Sequence, residues 1–565
     1  MSEEPGFSLL DDPWVIVRYS GGEVKEVSLR TALHDAQNIE QILGEVASQT
    51  VAILRLMLAI ALCSQRWVNE DGSVNSLTID RWRELWDEPE ALIEDMLEYL
   101  ADYEAEFDLF DPERPFMQVA DLHTAKNEFS AVAKIVADIP DGEQFFTLRR
   151  GESAQTLNFA EAARWLVHVH AFDTSGIKSG AVGDARVKGG KGYPIGTGWV
   201  GQLGVIIVEG RNLIETILLN LVADEFYPVN GLDSPDPARD LPPWEREVST
   251  AAVRGVSLNE TVDAQYEPKV MGPVDLLTWQ ARRVRLNPQG EQVTGVVLAQ
   301  GDKISPQDRW DMETMSAWRY SKPQSQKFKH DVYMPKLHYP EQLSWQGLPS
   351  IIAQLSGKVE SRSKEEVPQF KAATVVNWVG YLLERGYLPD RGLLPVYIVG
   401  VAYGSQSASF ETLVEDRLLL PAKIMEAGLN QSHVALQAAF SATDEVVRAV
   451  AQLAVNLAEA AGAKADTEAR RQIRAKVSQR CYFELDEKFR IWLSDLDEDL
   501  SGSRKKWKET LVQFSSSRER ELVANAAPRA FSGCDSIDLE RASVFFWISV
   551  NKAVQELYQE RNNHE

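Results

Sequence analysis

Glycines and cations are concentrated between Phe172 and Gly204. Ten glycines lie in this stretch with four cations, Lys178, Arg186, Lys188 and Lys191. Glycine loses more conformational entropy on ordering than any other residue, so an ordered segment of this kind indicates that another group approaches the backbone closely. Lysine and arginine neutralise phosphates. The composition of the stretch therefore predicts contact with a polyanion.

Two fragments of this stretch partly match nucleotide-binding motifs. The fragment GTGWVG (196–201) has G-x-G-x-x-G spacing, but the dinucleotide fingerprint requires a strand before it and a helix after it. Here Pro194 interrupts the preceding segment, and the strand-like QLGVIIVEG follows. Gly190-Lys191 is followed by glycine, so the magnesium-binding hydroxyl of a P-loop is missing. A nucleotide-dependent enzyme is disfavoured.

Hydrolytic and metal-dependent chemistry also lacks its residue patterns. His168 and His170 are two apart on a predicted helix, so they point to different faces, and no H-E-x-x-H motif occurs. The run Gly404-Ser405-Gln406-Ser407 does not have the G-x-S-x-G pattern of a nucleophile elbow. We therefore predict a non-catalytic protein with no cofactor and no metal.

The elements that position the glycine-rich stretch can be outlined from periodicity. Gly21-Gly22 separates two strand-like segments and predicts a hairpin. Helices are predicted at about 36–64 and 78–107, and a further helix, 159–171, leads into the stretch itself. A strand at 393–404 precedes a second Gly/Ser-rich turn.

The last part of the chain has a different character. Apolar residues recur at i, i+3, i+4 and i+7 in four segments, 433–462, 467–496, 505–526 and 538–560. Their short links predict an antiparallel four-helix bundle. The predicted fold class is therefore α+β, with a mixed α/β domain over 1–408 and an all-α bundle over 409–565.

Size and charge set limits on function. The chain has 565 residues, 44% hydrophobic, and a net charge of −25, so it can form several domains with large cores. The acidity disfavours nucleic-acid binding through the overall charge. Because charges are screened over about 8 Å at physiological salt, a local basic segment can still bind.

The cysteines and the longest apolar run predict a cytoplasmic protein without a membrane partner. Cys63, Cys481 and Cys534 form no C-x-x-C pair, which fits a reducing compartment. The apolar run 51–63 contains Arg55 and is too short to cross a bilayer. It predicts a buried helix.

Several segments, in order along almost the whole chain, resemble one family. They are SLLDDPWVIV (8–17), ERPFMQV (113–119), LLTWQARRVRL (276–286) and the C-terminal helices. Together they resemble the CasA (Cse family) large subunit of the type I-E CRISPR Cascade complex.

The resemblance implies a function in antiviral defence. Such a subunit reads the protospacer-adjacent motif in duplex DNA through the minor groove, helps to start unwinding and R-loop formation, and recruits a helicase-nuclease without cutting DNA itself. The implied partners are other Cascade subunits, CRISPR guide RNA, double-stranded target DNA and the helicase-nuclease.

The resemblance also implies two DNA-contacting elements. The motif-reading glycine loop corresponds to 173–180, with contacts from Thr174, Ser175, Gly176, Ile177 and Lys178, although Thr174 and Ser175 stand where other versions have glycine. The wedge hairpin corresponds to 403–409, with Ser405, Gln406, Ser407 and Ala408 at its end. Either Gln406 or Ser407 stands at the tip, and an ordinary Gly/Ser turn is the alternative interpretation. Lys178 is either a DNA contact or a solvated loop lysine.

Two further groups are possible nucleic-acid contacts. One is a loop with Phe146, Arg149 and Arg150, for which a plain surface loop is the alternative. The other is a basic patch on the bundle, for which a solvated helix start is the alternative; its residues are Arg504, Lys505, Lys506 and Lys508. The alternative function for the whole chain is an acidic scaffold or adaptor that binds RNA or a protein partner through the Gly/Lys-rich stretch.

Overall fold

The structure is a computed structural model of the full chain. It describes residues 6–137, 155–263, 265–389, 392–426, 428, 431–463, 467–496, 499–534 and 537–558.

The strands are short and are distributed over several small sheets. They are Val15–Tyr19 (β1), Val24–Val27 (β2), Ile39–Leu43 (β3), Trp67–Val68 (β4), Val74–Asn75 (β5), Leu157–Asn158 (β6), Lys178–Ser179 (β7), Lys191–Gly192 (β8), Gly204–Val208 (β9), Arg282–Gln289 (β10), Gln292–Gln300 (β11), Trp318–Tyr320 (β12), Tyr333–Pro335 (β13), Lys358–Glu360 (β14), Glu366–Pro368 (β15), Phe370–Lys371 (β16), Leu393–Tyr403 (β17) and Phe410–Pro421 (β18). The sheet orders are β2-β1-β3, β10-β11-β7-β8 with β6 on β11, β13-β12-β16, β14-β15, β18-β17-β9 and β4-β5.

The helices become longer toward the end of the chain. They are Leu29–His34 (α1), Ala47–Ser64 (α2), Ile79–Asp87 (α3), Pro89–Asp102 (α4), Phe159–Phe172 (α5), Leu213–Asn220 (α6), Phe226–Val229 (α7), Pro273–Leu277 (α8), Lys322–Phe328 (α9), Leu348–Ile351 (α10), Thr374–Glu384 (α11), Gln431–Ala460 (α12), Thr467–Ser494 (α13), Leu500–Ala524 (α14), Arg529–Ser532 (α15) and Leu539–Glu556 (α16). The predicted class, a mixed α/β chain that ends in helices, is confirmed.

Helix α2 is the centre of the first core. By length and composition alone it could cross a membrane, but 83% of it is buried inside the protein. It packs against α4, α5, α6 and α8, as expected for a helix that is apolar on every side. Its Arg55 is paired with Glu313 at 2.9 Å, and both side chains are buried. The predicted buried helix is therefore confirmed.

Two predicted helices have different bounds in the structure. The region expected to begin a helix at 36 first forms β3, which pairs antiparallel with β1, because the pairing buries Ile39 and Ile42 while Glu40 stays exposed. The helix predicted over 78–107 is divided into α3 and α4. Pro89 begins α4, since proline lacks the N–H that would continue a helix and fits its first turn.

The sheet β18-β17-β9 carries the second Gly/Ser-rich turn. Strand β17 pairs antiparallel with β9, with Val396 opposite Val208 and Gly400 opposite Gly204. Both strands are buried along this ladder. The hairpin between β17 and β18 therefore extends from a fixed base.

The C-terminal helices enclose an aromatic core of their own. Helix α12 packs against α13, α14 and α16. Trp345 stacks on Phe489 with ring centroids 4.2 Å apart, and Phe489 also contacts Trp492 and Trp507. Helices lie within a few residues of each of the four predicted segments.

The chain forms two compact units. The first contains Met1–Pro340, Gly357–Val379 and Val396–Arg417, and the second contains Glu341–Ser356, Gly380–Pro395 and Leu418–Glu565. The domain division after residue 408 stays a prediction.

Candidate functional site

The two predicted DNA-contacting elements meet within the first unit. Helix α5 ends at Phe172, and the chain continues into the loop 173–177. The backbone amide of Ser175 donates a hydrogen bond of 2.8 Å to the carbonyl oxygen of Ser407, in the turn between β17 and β18. At the base of the same hairpin, the Tyr403 hydroxyl donates to the carbonyl oxygen of Phe172 at 2.6 Å. The loop and the hairpin are therefore connected at two places.

A buried ionic cluster fixes the glycine loop on the side that faces the protein interior. The carboxylate of Asp173 pairs with Lys178 Nζ at 2.7 Å and with the Arg282 guanidinium. Arg282 is fully buried and also donates to the carbonyl oxygens of Thr174 at 3.0 Å and Gly196 at 2.8 Å. Asp173 at the start of the loop is thus paired with Lys178 at its end, and Arg282 from strand β10 holds both Asp173 and the Thr174 carbonyl oxygen.

The cluster shifts the pKa values of both Asp173 and Lys178 downward, which favours the charged form of the carboxyl and disfavours that of the amine. Burial opposes ionisation of Asp173, but Arg282 and Lys178 outweigh it, so the pKa of this carboxyl lies below its ordinary value. Burial lowers the pKa of Lys178, and Asp173 offsets part of that effect. Lys178 is thus a buried counter-ion, which neither alternative from the sequence described.

The upper side of the loop is open. Gln300 Nε2 donates to the carbonyl oxygens of Gly176 at 2.8 Å and Gly192 at 3.3 Å. Among the described residues, the amides of Gly176 and Ile177 find no acceptor. A Cβ built on Gly176 would meet nothing within 4 Å, and the Ile177 side chain is 56% exposed.

Other glycines of the stretch serve packing inside the protein. A Cβ at Gly180 would overlap the backbone of Gly190, one at Gly198 would overlap Ala171, and one at Gly201 would overlap the Tyr403 ring. The structure therefore changes the interpretation of the glycine content. Close approach does explain it at these positions, but the approaching group is the protein's own chain.

The end of the hairpin has an unusual backbone. The 3₁₀ turn Ser405–Ser407 contains two left-handed residues, Gln406 at φ 56° and Ser407 at φ 55°, a region that non-glycine residues rarely adopt. The Ser407 amide donates to the Gly404 carbonyl oxygen at 2.9 Å, and Gly404 bonds to Ser409 at 3.0 Å. Gln406 is exposed, and its side chain makes no hydrogen bond to another described residue.

A cavity of about 290 Å³ lies between the two elements. Both contribute to its walls, with Thr174, Gly176 and Ile177 from the loop and Ala408 from the hairpin. Lys134 and His168 also line it. Polar backbone, two lysines (Lys134 and Lys178) and the carboxylate of Asp173 thus line an open recess beside the hairpin tip.

The remaining predicted contacts either lie outside the described residues or belong to the second unit. Phe146, Arg149 and Arg150 lie outside the described residues. On helix α14 of the second unit, Lys505 and Lys506 are exposed, whereas Arg504 and Lys508 are half-buried. Their neighbour Trp507 is buried and donates from Nε1 to Thr443 Oγ1 at 3.0 Å, so it belongs to the core of that unit.

The histidines of α5 are part of the core. Burial lowers the pKa of His168 to about 3 and that of His170 to about 4, so both are neutral. The Ser48 hydroxyl lies 2.9 Å from His168 Nε2, and His170 Nε2 donates to the Met117 carbonyl oxygen at 2.9 Å. Over the described part of the chain, no group of three His, Cys, Asp or Glu residues could hold a metal ion.

Two residues that shape the loop were missed in the sequence. Arg282 and Gln300 lie on neighbouring strands, β10 and β11, opposite each other in the antiparallel ladder. The only signal was the pair Arg282-Arg283 directly after the apolar segment that contains Leu276, Leu277 and Trp279, where a buried cation needs an acidic partner.

Three comparisons with known proteins all find similarity to Cse1 or CasA proteins. A crystal structure of Cse1 from Thermobifida fusca has 37% identity and a TM-score of 0.83, and the match covers 98% of each chain. The CasA/Cse1 protein of Thermus thermophilus is 29% identical over 319 residues, 55% of either chain, so the match spans about half of that relative. A chain of a CRISPR RNA-guided surveillance complex shares the fold at 16% identity, with a TM-score of 0.64. The profile of the family described as CRISPR-associated protein Cse1 matches residues 8–517, and the chain therefore belongs to this family.

Proposed function

We propose that this chain is the large subunit of an RNA-guided CRISPR surveillance complex of type I-E. In this role it recognises the protospacer-adjacent motif in duplex DNA, helps to initiate unwinding and R-loop formation, and recruits the helicase-nuclease. It works in the cytoplasm with other Cascade subunits and guide RNA, as a recognition subunit without catalysis of its own. Membership of the Cse1 family supports the proposal, as does the shared fold with a chain of a surveillance complex.

The hydrogen bond between Ser175 and Ser407 is the observation on which the DNA-binding role depends. It holds the loop, with Gly176 bare on the open side, next to an exposed hairpin tip. A reader of duplex DNA that also opens it needs these two parts side by side, since opening starts at the base pair next to the one that is read. The short connection allows no large gap between them.

The loop suits the minor groove. That groove is about 6 Å wide, so a backbone without a side chain can approach base edges that larger residues cannot reach. Gly176 has open space where a side chain would be, and the free amides of Gly176 and Ile177 are donors. The minor groove displays acceptors on every base pair and mainly separates A·T from G·C. The loop should therefore accept several related motifs.

Gln406 is the residue we assign to the wedge tip. It is exposed and unbound, whereas Ser407 is held by its amide and by its carbonyl oxygen. Separating stacked pairs costs a mean of about 1.4 kcal/mol per step. A tip held in a fixed left-handed turn can enter the stack without first losing freedom of its own, and so offsets part of this cost.

Reconstitution with guide RNA and the partner subunits tests the proposal. We expect the assembled complex to bind duplex that carries the motif more tightly than duplex that lacks it, and to lose affinity steeply as salt rises. The same complex without this chain should show neither property. Equal binding with and without the chain would contradict the proposal and favour an acidic scaffold.

A further inference from the structure

A second exposed feature lies on the ribbon that carries the glycine loop. Strands β7 and β8 are paired antiparallel, with Ser179 opposite Lys191. The turn beside β8 is Lys188-Gly189-Gly190-Lys191, closed by hydrogen bonds of 3.1 and 3.2 Å between Lys188 and Lys191. Both lysines are exposed.

These lysines differ from the other cations of the stretch. Lys178 is paired with Asp173, and Arg186 is paired with Asp184 at 2.9 Å. Among the described residues, Lys188 and Lys191 have no carboxylate within ion-pair distance. In a chain of net charge −25, two neighbouring exposed lysines without acidic partners form a local site for phosphate.

The turn has a fixed position relative to the proposed reader. Gln300 binds the carbonyl oxygens of both Gly176 and Gly192, so the two chains run side by side. Lys191 is opposite Ser179, three residues beyond Gly176. The lysine turn is therefore held beside the chain that leaves the proposed reader.

We propose that Lys188 and Lys191 bind the sugar-phosphate backbone of the duplex that flanks the motif. This proposal rests on the proposed function and adds to it a contact that does not depend on base sequence. The loop supplies recognition, and the lysine turn supplies affinity and holds the duplex in register.

The double variant Lys188→Gln and Lys191→Gln tests the proposal in the guide-loaded complex. Each phosphate contact contributes about 0.9 to the slope of log affinity against log salt. Between 50 and 200 mM salt, the variant should therefore lose roughly tenfold less affinity than the parent. The loss of affinity at low salt should be equal for duplexes with and without the motif. Lys358→Gln with Lys364→Gln, on the exposed β14-β15 hairpin, is the control with the same change in charge and should behave as the parent.

The length of the duplex provides a second measurement. If the duplex ends one base pair beyond the motif, the parent and the variant should bind equally, because the phosphates that the lysines contact are missing. An unchanged salt slope on long duplex, or a defect that persists on the short one, would overturn the proposal. Failure of the variant to assemble with guide RNA would also overturn it, since the lysines would then contact RNA. If Gly176→Asp abolishes motif preference while the lysine variant changes nothing, only the lysine contact is refuted.

Discussion

The amide of Ser175 and the carbonyl oxygen of Ser407 are 2.8 Å apart, although the two residues are distant in the chain. One belongs to the loop after α5, and the other belongs to the turn between β17 and β18. A displacement of either segment is transmitted to the other through this bond and through the Tyr403 bond to Phe172. Reading and opening of a duplex would therefore be mechanically coupled within one rigid piece of the protein.

Gly176→Asp should abolish motif preference without affecting the fold. The added side chain would extend into open space, so we expect little change in the unfolding midpoint. Its carboxylate would face the anionic duplex and obstruct the groove. The ratio of the affinities for duplexes with and without the motif measures the motif preference. Gly21→Asp, at another glycine with open space around its Cβ, is the control, and a retained ratio in Gly176→Asp would disprove the loop assignment.

Gln406→Gly should slow strand opening more than it slows binding. Glycine removes the side chain and suits the φ of 56° better than glutamine does. This relief opposes the entropy that glycine adds to the unfolded chain, so we expect little change in stability. Permanganate reactivity of unpaired thymines gives the opening rate, and filter binding gives the affinity. Asn259→Gly, at another exposed residue with a positive φ of 62°, is the control and should leave both unchanged. Normal opening in Gln406→Gly would contradict the assignment of Gln406 to the tip.

Arg282→Gln should destabilise the protein and reduce motif preference together. The substitution removes one of the two cations that pair with Asp173, together with the hydrogen bonds to the carbonyl oxygens of Thr174 and Gly196. Breaking a buried ion pair typically costs about 3–5 kcal/mol, and the remaining pair with Lys178 offsets part of that cost. Denaturant unfolding measures the cost, and the binding ratio reports the position of the loop. Arg285→Gln, on the same strand but only half-buried, is the control. The double variant with Asp173→Asn should be less stable than Arg282→Gln alone, because Lys178 then loses its carboxylate partner as well; a double variant that recovers stability would refute the pairing of Lys178 with Asp173.

Acid should destabilise the first unit through its buried histidines. An unfolded histidine has a pKa of about 6.5, while that of folded His170 is about 4. The unfolded chain therefore binds the proton first, and stability falls as the pH decreases from about 6.5 toward 4, by up to about 3 kcal/mol for this residue. Unfolding free energies measured from pH 4.5 to 7 should be less pH-dependent in His170→Gln than in the parent. The exposed His34→Gln is the control, and equal slopes in parent and His170→Gln would mean that His170 is not buried in the neutral form.

The elements that depend on residues close together in the chain were predicted well from the sequence. Gly21-Gly22 gave the hairpin of β1 and β2, and helix α5 begins and ends within one residue of its predicted bounds. Apolar periodicity also located the C-terminal helices. These features depend on neighbours a few residues apart, which a single sequence displays directly.

Features that depend on distant partners were not predictable. Strand β3 forms because β1 is available to pair with it. The residues 39–43 taken alone do not predict a strand. The glycines at 180 and 198 are needed because Gly190 and Ala171 lie against them. Lys178 looked like a free loop cation, and only the fold places Asp173 and Arg282 beside it. The two candidate elements were predicted through family resemblance, but the bond that joins them was not.

The anchoring of Tyr403 to Phe172 has a consequence for how such proteins diversify. An insertion of one residue in the loop 173–177 or in the turn Ser405–Ser407 would move the exposed residues of that segment away from the other segment. An insertion in one segment therefore requires a compensating change in the other. Relatives with this pair of contacts should consequently differ by exchange of side chains within segments of constant length, and relatives with a different length in one segment should also differ in the other.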